Sequence, residues 1–263
     1  MRLLRMHWPL VVGIATLAGL VGLGMAQEAA ARRGKPMYAE LRRPPGQGPF
    51  PALVLLHGCS GITSVQRDWA ERLSEWGYVT LIVDSFGPRE VRNVCWSGPD
   101  GPGSYAERVQ DARSALGYLR RQPFVDPRRI GAIGWSMGAG VTLRAVEAGR
   151  RESPRGLHGS LQARFKAAVA FYPHCRQIDR YGAPLLILIG DKDDWAPASR
   201  CRALARGRPA GQGRVQLVVY PNAYHSFDST RPTHQYRGHV IAADPDATAD
   251  AIVRVRAFLA KHL

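Results

Sequence analysis

The run Gly134-Trp135-Ser136-Met137-Gly138 sets a serine between two glycines, and the residues before it are β-branched and apolar while those after it read as a helix. A serine at such a strand-to-helix junction sits in a tight turn that exposes its hydroxyl, and the flanking glycines are needed because side chains there would collide with neighbouring backbone. The helix that follows points its amino end at the serine, so negative charge developing nearby meets free amides and a favourable dipole. The chemistry this allows is acyl transfer through a covalent intermediate.

A serine hydroxyl attacks well only when a histidine takes its proton, and that histidine needs an acid to orient it and stabilise its charged form. Both occur downstream in the order serine, acid, histidine. Gly190-Asp191-Lys192-Asp193-Asp194-Trp195-Ala196-Pro197 follows one apolar run, and Asn222-Ala223-Tyr224-His225-Ser226-Phe227 follows the next. His225 is the candidate base, although His57 and His174 also fall at strand ends. Asp193 and Asp194 are adjacent and only one can face an imidazole, with Asp193 preferred. Leu56-His57-Gly58-Cys59-Ser60-Gly61 supplies a glycine-bearing turn after the first strand, which makes the amides of Cys59 and Met137 the candidate oxyanion donors.

The elements that must position these groups alternate between short apolar runs and longer amphipathic stretches, the pattern of a mostly parallel sheet with crossover helices on both faces. Strands are predicted over Ala52–Leu56, Tyr78–Val83, Arg129–Ile133, Ala167–Phe171, Pro184–Ile189 and Val215–Tyr220. Helices are predicted over Val65–Trp76, Tyr105–Arg121, Ser136–Ala148, Ser199–Arg206 and Ala247–His262. Val109, Ala112, Ala115, Leu116 and Leu119 form one apolar stripe at helical spacing. Asp84–Ser104 and Ser226–Asp246 read as irregular stretches that could wall a pocket.

The chain has 263 residues, 45% hydrophobic and 22% charged, in keeping with an ordinary globular protein. Arg2 and Arg5 precede an uncharged stretch from Pro9 to Met25, and Gly24-Met25-Ala26 offers a small-residue cleavage site. The expectation is a signal peptide over residues 1–26, a single domain over 27–263, and export to the periplasm or beyond with no stable membrane anchor after cleavage. The alternative is an uncleaved anchor, but the stretch is broken by four glycines and short against the roughly 20 residues a spanning helix needs. Net charge is +15 with the arginines scattered, which argues for a solvated basic surface and against a nucleic-acid partner.

The four cysteines, Cys59, Cys95, Cys175 and Cys201, form neither a C-x-x-C pair nor a Cys/His metal spacing, so no metal is expected. The expected pairing is Cys175 with Cys201 and Cys59 with Cys95, because each pair would join loops at the same end of the sheet. Four buried thiols are the alternative.

Several of these motifs together resemble the dienelactone hydrolase family of the α/β-hydrolase fold, over roughly residues 50–263. The resemblance is carried by His57-Gly58, Asp84-Ser85-Phe86-Gly87-Pro88-Arg89, the run from Gln122 to Gly138, Tyr172-Pro173, Gly190 to Pro197, and His225-Ser226-Phe227. The spacing of Gly190, Asp193 and Pro197 is similar to the family's Gly-x-x-Asp-x-x-x-Pro, which favours Asp193 over Asp194. The founding members carry a cysteine nucleophile where this chain has Ser136, so the resemblance is to an exported, serine-bearing branch. It implies hydrolysis of a small ester or lactone without a cofactor, and it makes Arg89 a possible binder of a substrate carboxylate or, equally, an exposed loop residue. A peptidase or polyester depolymerase on the same scaffold is the alternative enzyme, since a fold does not fix a substrate. A catalytically inactive envelope binding protein is the alternative outside enzymes. Oligomeric state is left open.

Overall fold

The computed structural model describes residues 38–96, 101–147, 164–177, 180–206 and 215–263. The expected signal peptide, residues 97–100 of the first long loop and Ala148 of the third predicted helix lie outside them. Nine strands and five α-helices occur among the described residues: β1 (Tyr38–Arg42), β2 (Phe50–Leu56), α1 (Ser64–Glu75), β3 (Val79–Asp84), α2 (Tyr105–Leu119), β4 (Val125–Trp135), α3 (Met137–Ala145), β5 (Ala168–Phe171), β6 (Leu185–Gly190), α4 (Ala198–Arg206), β7 (Val215–Tyr220), β8 (His234–Tyr236), β9 (His239–Ile241) and α5 (Pro245–His262).

Seven strands form one sheet in the order β1-β3-β2-β4-β5-β6-β7, and helices cover both of its faces. Every pairing is parallel except β1 with β3. Strands covered on both faces should be apolar throughout. β5 and β6 are, with all their residues buried. In α2 the stripe Val109, Ala112, Ala115, Leu116 and Leu119 is buried as its spacing requires, and the Ser104 side chain caps the first turn by accepting from the Glu107 amide. α5 starts on Asp244, whose carboxylate accepts from the Ala247 amide, with Pro245 next in line.

Three elements differ from the sequence expectation. β1 lies ahead of the first predicted strand; its residues from Ala39 to Arg42 are exposed and polar-rich at the sheet edge, so no apolar run marks them. β4 begins at Val125 rather than Arg129, because Val125 pairs with Phe50 across an irregularity before the regular register resumes at Ala52 with Ile130. The stretch Ser226–Asp246 holds the antiparallel hairpin β8–β9, turned by Arg237 and Gly238, both at positive φ. Two positive-φ residues in a two-residue loop match the twist of the strands they join.

Candidate active site

Ser136 stands between the end of β4 and the start of α3 with φ 52° and ψ −117°, a backbone state that side-chain-bearing residues rarely adopt. The turn is held by the Ser136 amide donating to the Phe171 carbonyl at 3.0 Å and by the Gly140 amide donating to the Ser136 carbonyl at 3.1 Å. The glycines on either side are sterically required. A Cβ on Gly134 would overlap the Gly138 carbonyl, and one on Gly138 would overlap the Leu56 carbonyl. Close packing of β2, β4 and α3 leaves room there for backbone alone.

His225 and Asp193 complete the arrangement. His225 Nε2 lies 3.0 Å from Ser136 Oγ, and Nδ1 lies 2.7 Å from Asp193 Oδ2. An acid on Nδ1 fixes that proton, which leaves Nε2 free to accept from the serine hydroxyl. The other carboxylate oxygen of Asp193 accepts from the Trp195 and Ala196 amides at 3.1 and 2.7 Å, so the acid cannot rotate away. Both side chains are buried. The loops that carry them are joined by the Lys192 amide donating to the Ala223 carbonyl and the Asp191 amide to the Tyr220 carbonyl. Gly190 allows this approach, since a Cβ there would strike the Ala223 carbonyl. Asp194 points elsewhere and pairs with His239 at 3.3 Å.

The turn after β2 packs directly on the serine: a Cβ built on Gly58 would sit 3.7 Å from that of Ser136. Met137 is the first residue of α3, so its amide has no acceptor inside the helix and is oriented toward the serine end. Cys59 is held by a disulfide to Cys95 and by its carbonyl, which accepts from the Val94 amide at 2.9 Å. A second disulfide joins Cys175 to Cys201. A cleft of about 340 Å³ opens over this centre, with Gly58, Cys59, Ser136, Trp195, His225 and Tyr236 in its wall. Its rim is bridged where Asn93 Nδ2 donates to the Tyr236 hydroxyl at 2.9 Å, linking the loop after β3 to the β8–β9 hairpin.

The remaining candidates have partners other than the serine hydroxyl. Arg89 donates to both oxygens of Asp111 at 2.9 Å and to the Ser85 carbonyl at 2.6 Å, and its Nε lies 3.2 Å from Glu107. It is not among the residues that wall the cleft, and its partners tie the turn after β3 to α2. His57 is fully buried, donating from Nδ1 to the Gly58 carbonyl and accepting on Nε2 from the Ser85 amide. Burial, and next the neighbouring Arg108 charge, push its pKa down to about 3, so it is a neutral brace for the turn. His174 is also lowered, by burial first and then by His225.

Two buried charged residues escaped the sequence reading. Arg108 interrupts the apolar stripe of α2 and donates to the His57 carbonyl, directly before the Gly58–Cys59 turn; burial pushes its pKa down to about 10. Asp228, three residues after His225, accepts from two indoles and a phenol. A lone Arg or Asp in an amphipathic stretch carries no sign of burial, so nothing local marked either one.

The family model for the dienelactone hydrolase family matches residues 37–263. The chain belongs to the dienelactone hydrolase family. Among curated proteins, this family member is 24% identical over 217 residues to a probable 2-oxo-3-(5-oxofuran-2-ylidene)propanoate lactonase of a Bradyrhizobium species, covering 76% of this chain and 84% of the relative. Among solved structures, a putative dienelactone hydrolase of Klebsiella pneumoniae matches with a TM-score of 0.67 at 20% identity, over 87% of this chain and 95% of the other. An esterase of Thermogutta terrifontis with propionate bound matches with a TM-score of 0.65 at 22% identity, over 86% and 89%. Within the dienelactone hydrolase family, this chain therefore presents a serine, histidine and aspartate at hydrogen-bonding distance on the expected fold.

Proposed function

We propose that the protein hydrolyses a small carboxylic ester or lactone through an acyl-enzyme on Ser136. The observation that carries this reading is the unbroken line from Ser136 Oγ to His225 Nε2 and from Nδ1 to Asp193 Oδ2. In the first step Ser136 Oγ bonds to the acyl carbon while its proton passes to His225 Nε2. The C–O bond to the alcohol then breaks, and the same proton goes to the departing oxygen. In the second step water gives a proton to His225, bonds to the acyl carbon and releases the acid as Ser136 is reprotonated. The amides of Cys59 and Met137 donate to the oxyanion of each tetrahedral intermediate.

The cleft volume, about 340 Å³, falls in the range of small-molecule pockets, and the bridge from Asn93 to Tyr236 favours a small substrate over a polymer chain. Its wall carries Arg231 and, among the described residues, no Asp or Glu. That balance suits an acyl group with a carboxylate of its own, as in the substrate named for the Bradyrhizobium relative.

We also place the chain in an exported, serine-bearing branch of the family, with residues 1–26 as a cleaved leader and 27–263 as one domain. Arg2 and Arg5 ahead of the apolar stretch support export, and two disulfides suit an oxidising compartment. Fluorophosphonate treatment followed by peptide mass spectrometry tests the nucleophile. A single adduct on Ser136 is expected, and an unlabelled Ser136 would overturn the assignment.

A further inference from the structure

The carboxylate of Asp228 is the meeting point of three elements. Its Oδ2 accepts from Trp69 Nε1 of α1 and from Trp135 Nε1 of β4, both at 2.9 Å, and its Oδ1 accepts from the Tyr172 hydroxyl at 2.7 Å. Trp135 directly precedes Ser136. Tyr172 follows β5 at φ 41°, and its ring stands edge-on to the His225 imidazole with centroids 4.6 Å apart. Asp228 itself lies three residues beyond His225, on the loop that bears it. Phe227, fully buried between them in sequence, packs on Phe171, Tyr172 and Tyr220 and fixes that loop from below.

We infer that Asp228 is a positioning residue for catalysis, which sets the Ser136 turn and the His225 imidazole against each other by gripping Trp135 and Tyr172 with one carboxylate. A carboxylate suits this place because both of its oxygens accept and three donors converge on it. An amide of the same shape would either set its NH2 group against the two indole donors or make the phenol accept where it now donates, and in both cases the charged acceptor is lost. Burial raises the Asp228 pKa, and the Tyr172, Trp135 and Trp69 donors oppose that rise. The Tyr172 hydroxyl is held far above its ordinary pKa by burial and the Asp228 charge, so it stays a donor. The hub thus constrains nucleophile and base separately from Asp193, which constrains the base alone.

The inference rests on the hydrolase reading, and its test keeps the two apart. Wild type, Asp228→Asn and Tyr172→Phe are compared for steady-state ester hydrolysis and for the rate of fluorophosphonate labelling at Ser136. Val255→Ala, a cavity in the buried face of α5, serves as a stability control. Asp228→Asn is expected to lower kcat by about 100-fold with KM nearly unchanged, since small displacements of reacting groups cost about that much. Labelling should slow in parallel, while Val255→Ala melts lower and keeps its kcat. Tyr172→Phe retains the ring and loses only the grip, so it carries the test if Asp228→Asn fails to fold, and about a tenfold loss of kcat is expected. Wild-type kcat and labelling in Asp228→Asn, or in a folded Tyr172→Phe where that variant carries the test, would overturn the inference, as would a rise in KM matching the whole effect. A wild type that takes no label would overturn the hydrolase reading itself.

Discussion

Asp193 Oδ2 lies 2.7 Å from His225 Nδ1, whereas Asp194, the next residue, faces His239 at 3.3 Å. The two carboxylates are therefore not interchangeable. Asp193→Asn removes the acceptor that fixes the Nδ1 proton and is expected to lower kcat by about 10⁴-fold, as loss of tautomer control does in such triads. Asp194→Asn is expected to hydrolyse p-nitrophenyl acetate at a rate close to wild type. Equal losses in the two variants would contradict the assignment.

The Cys59–Cys95 bond closes a sequence separation of 36 residues and anchors the turn that presents the Cys59 amide. Replacing both cysteines by alanine is expected to lower unfolding stability by about 2–4 kcal/mol, measured by urea denaturation. It should also lower kcat, because the proposed oxyanion donor is no longer pinned. The Cys175–Cys201 pair closes 26 residues, and Cys201 belongs to α4. Its removal is expected to cost a comparable amount of stability with kcat retained.

Gly138 faces the Leu56 carbonyl with no room for a methyl group. Gly138→Ala forces β2 and α3 apart at the serine, and a loss of about 3 kcal/mol or more is expected along with loss of turnover. Thermal melting and ester hydrolysis measure both effects.

His57 is held neutral in the fold, its pKa lowered from 6.5 to about 3. In the unfolded chain it takes up a proton below its ordinary value, while in the fold it does not. This contribution to stability is therefore full above about pH 6.5 and is lost as the pH falls toward 3, at roughly 1.4 kcal/mol per pH unit. Urea titrations of wild type and His57→Gln between pH 7 and pH 4 check it. The wild type is expected to lose more stability over that range than the variant.

Chemistry was more legible in the sequence than its supports were. Ser136, Asp193 and His225 each follow an apolar strand, and a residue just past a strand's carboxyl end has its place fixed by the sheet. The parallel strands could be read because burial on both faces leaves almost nothing but Val, Ile, Leu and Ala, as in Leu185–Ile189. β1 could not, since Ala39–Arg42 sit at an edge with exposed side chains. Arg89's sequence position gives no hint of Asp111, which lies on another element and takes both of its terminal nitrogens. The Asp228 hub depends on residues 69, 135 and 172 converging from three elements, a relation that no local pattern encodes.

Turnover of p-nitrophenyl acetate by purified Ser136→Ala, beside wild type and with the fold checked by circular dichroism, bears most directly on the central claim. Wild type is expected to show turnover that the folded variant lacks. Hydrolysis at the wild-type rate in Ser136→Ala would contradict it.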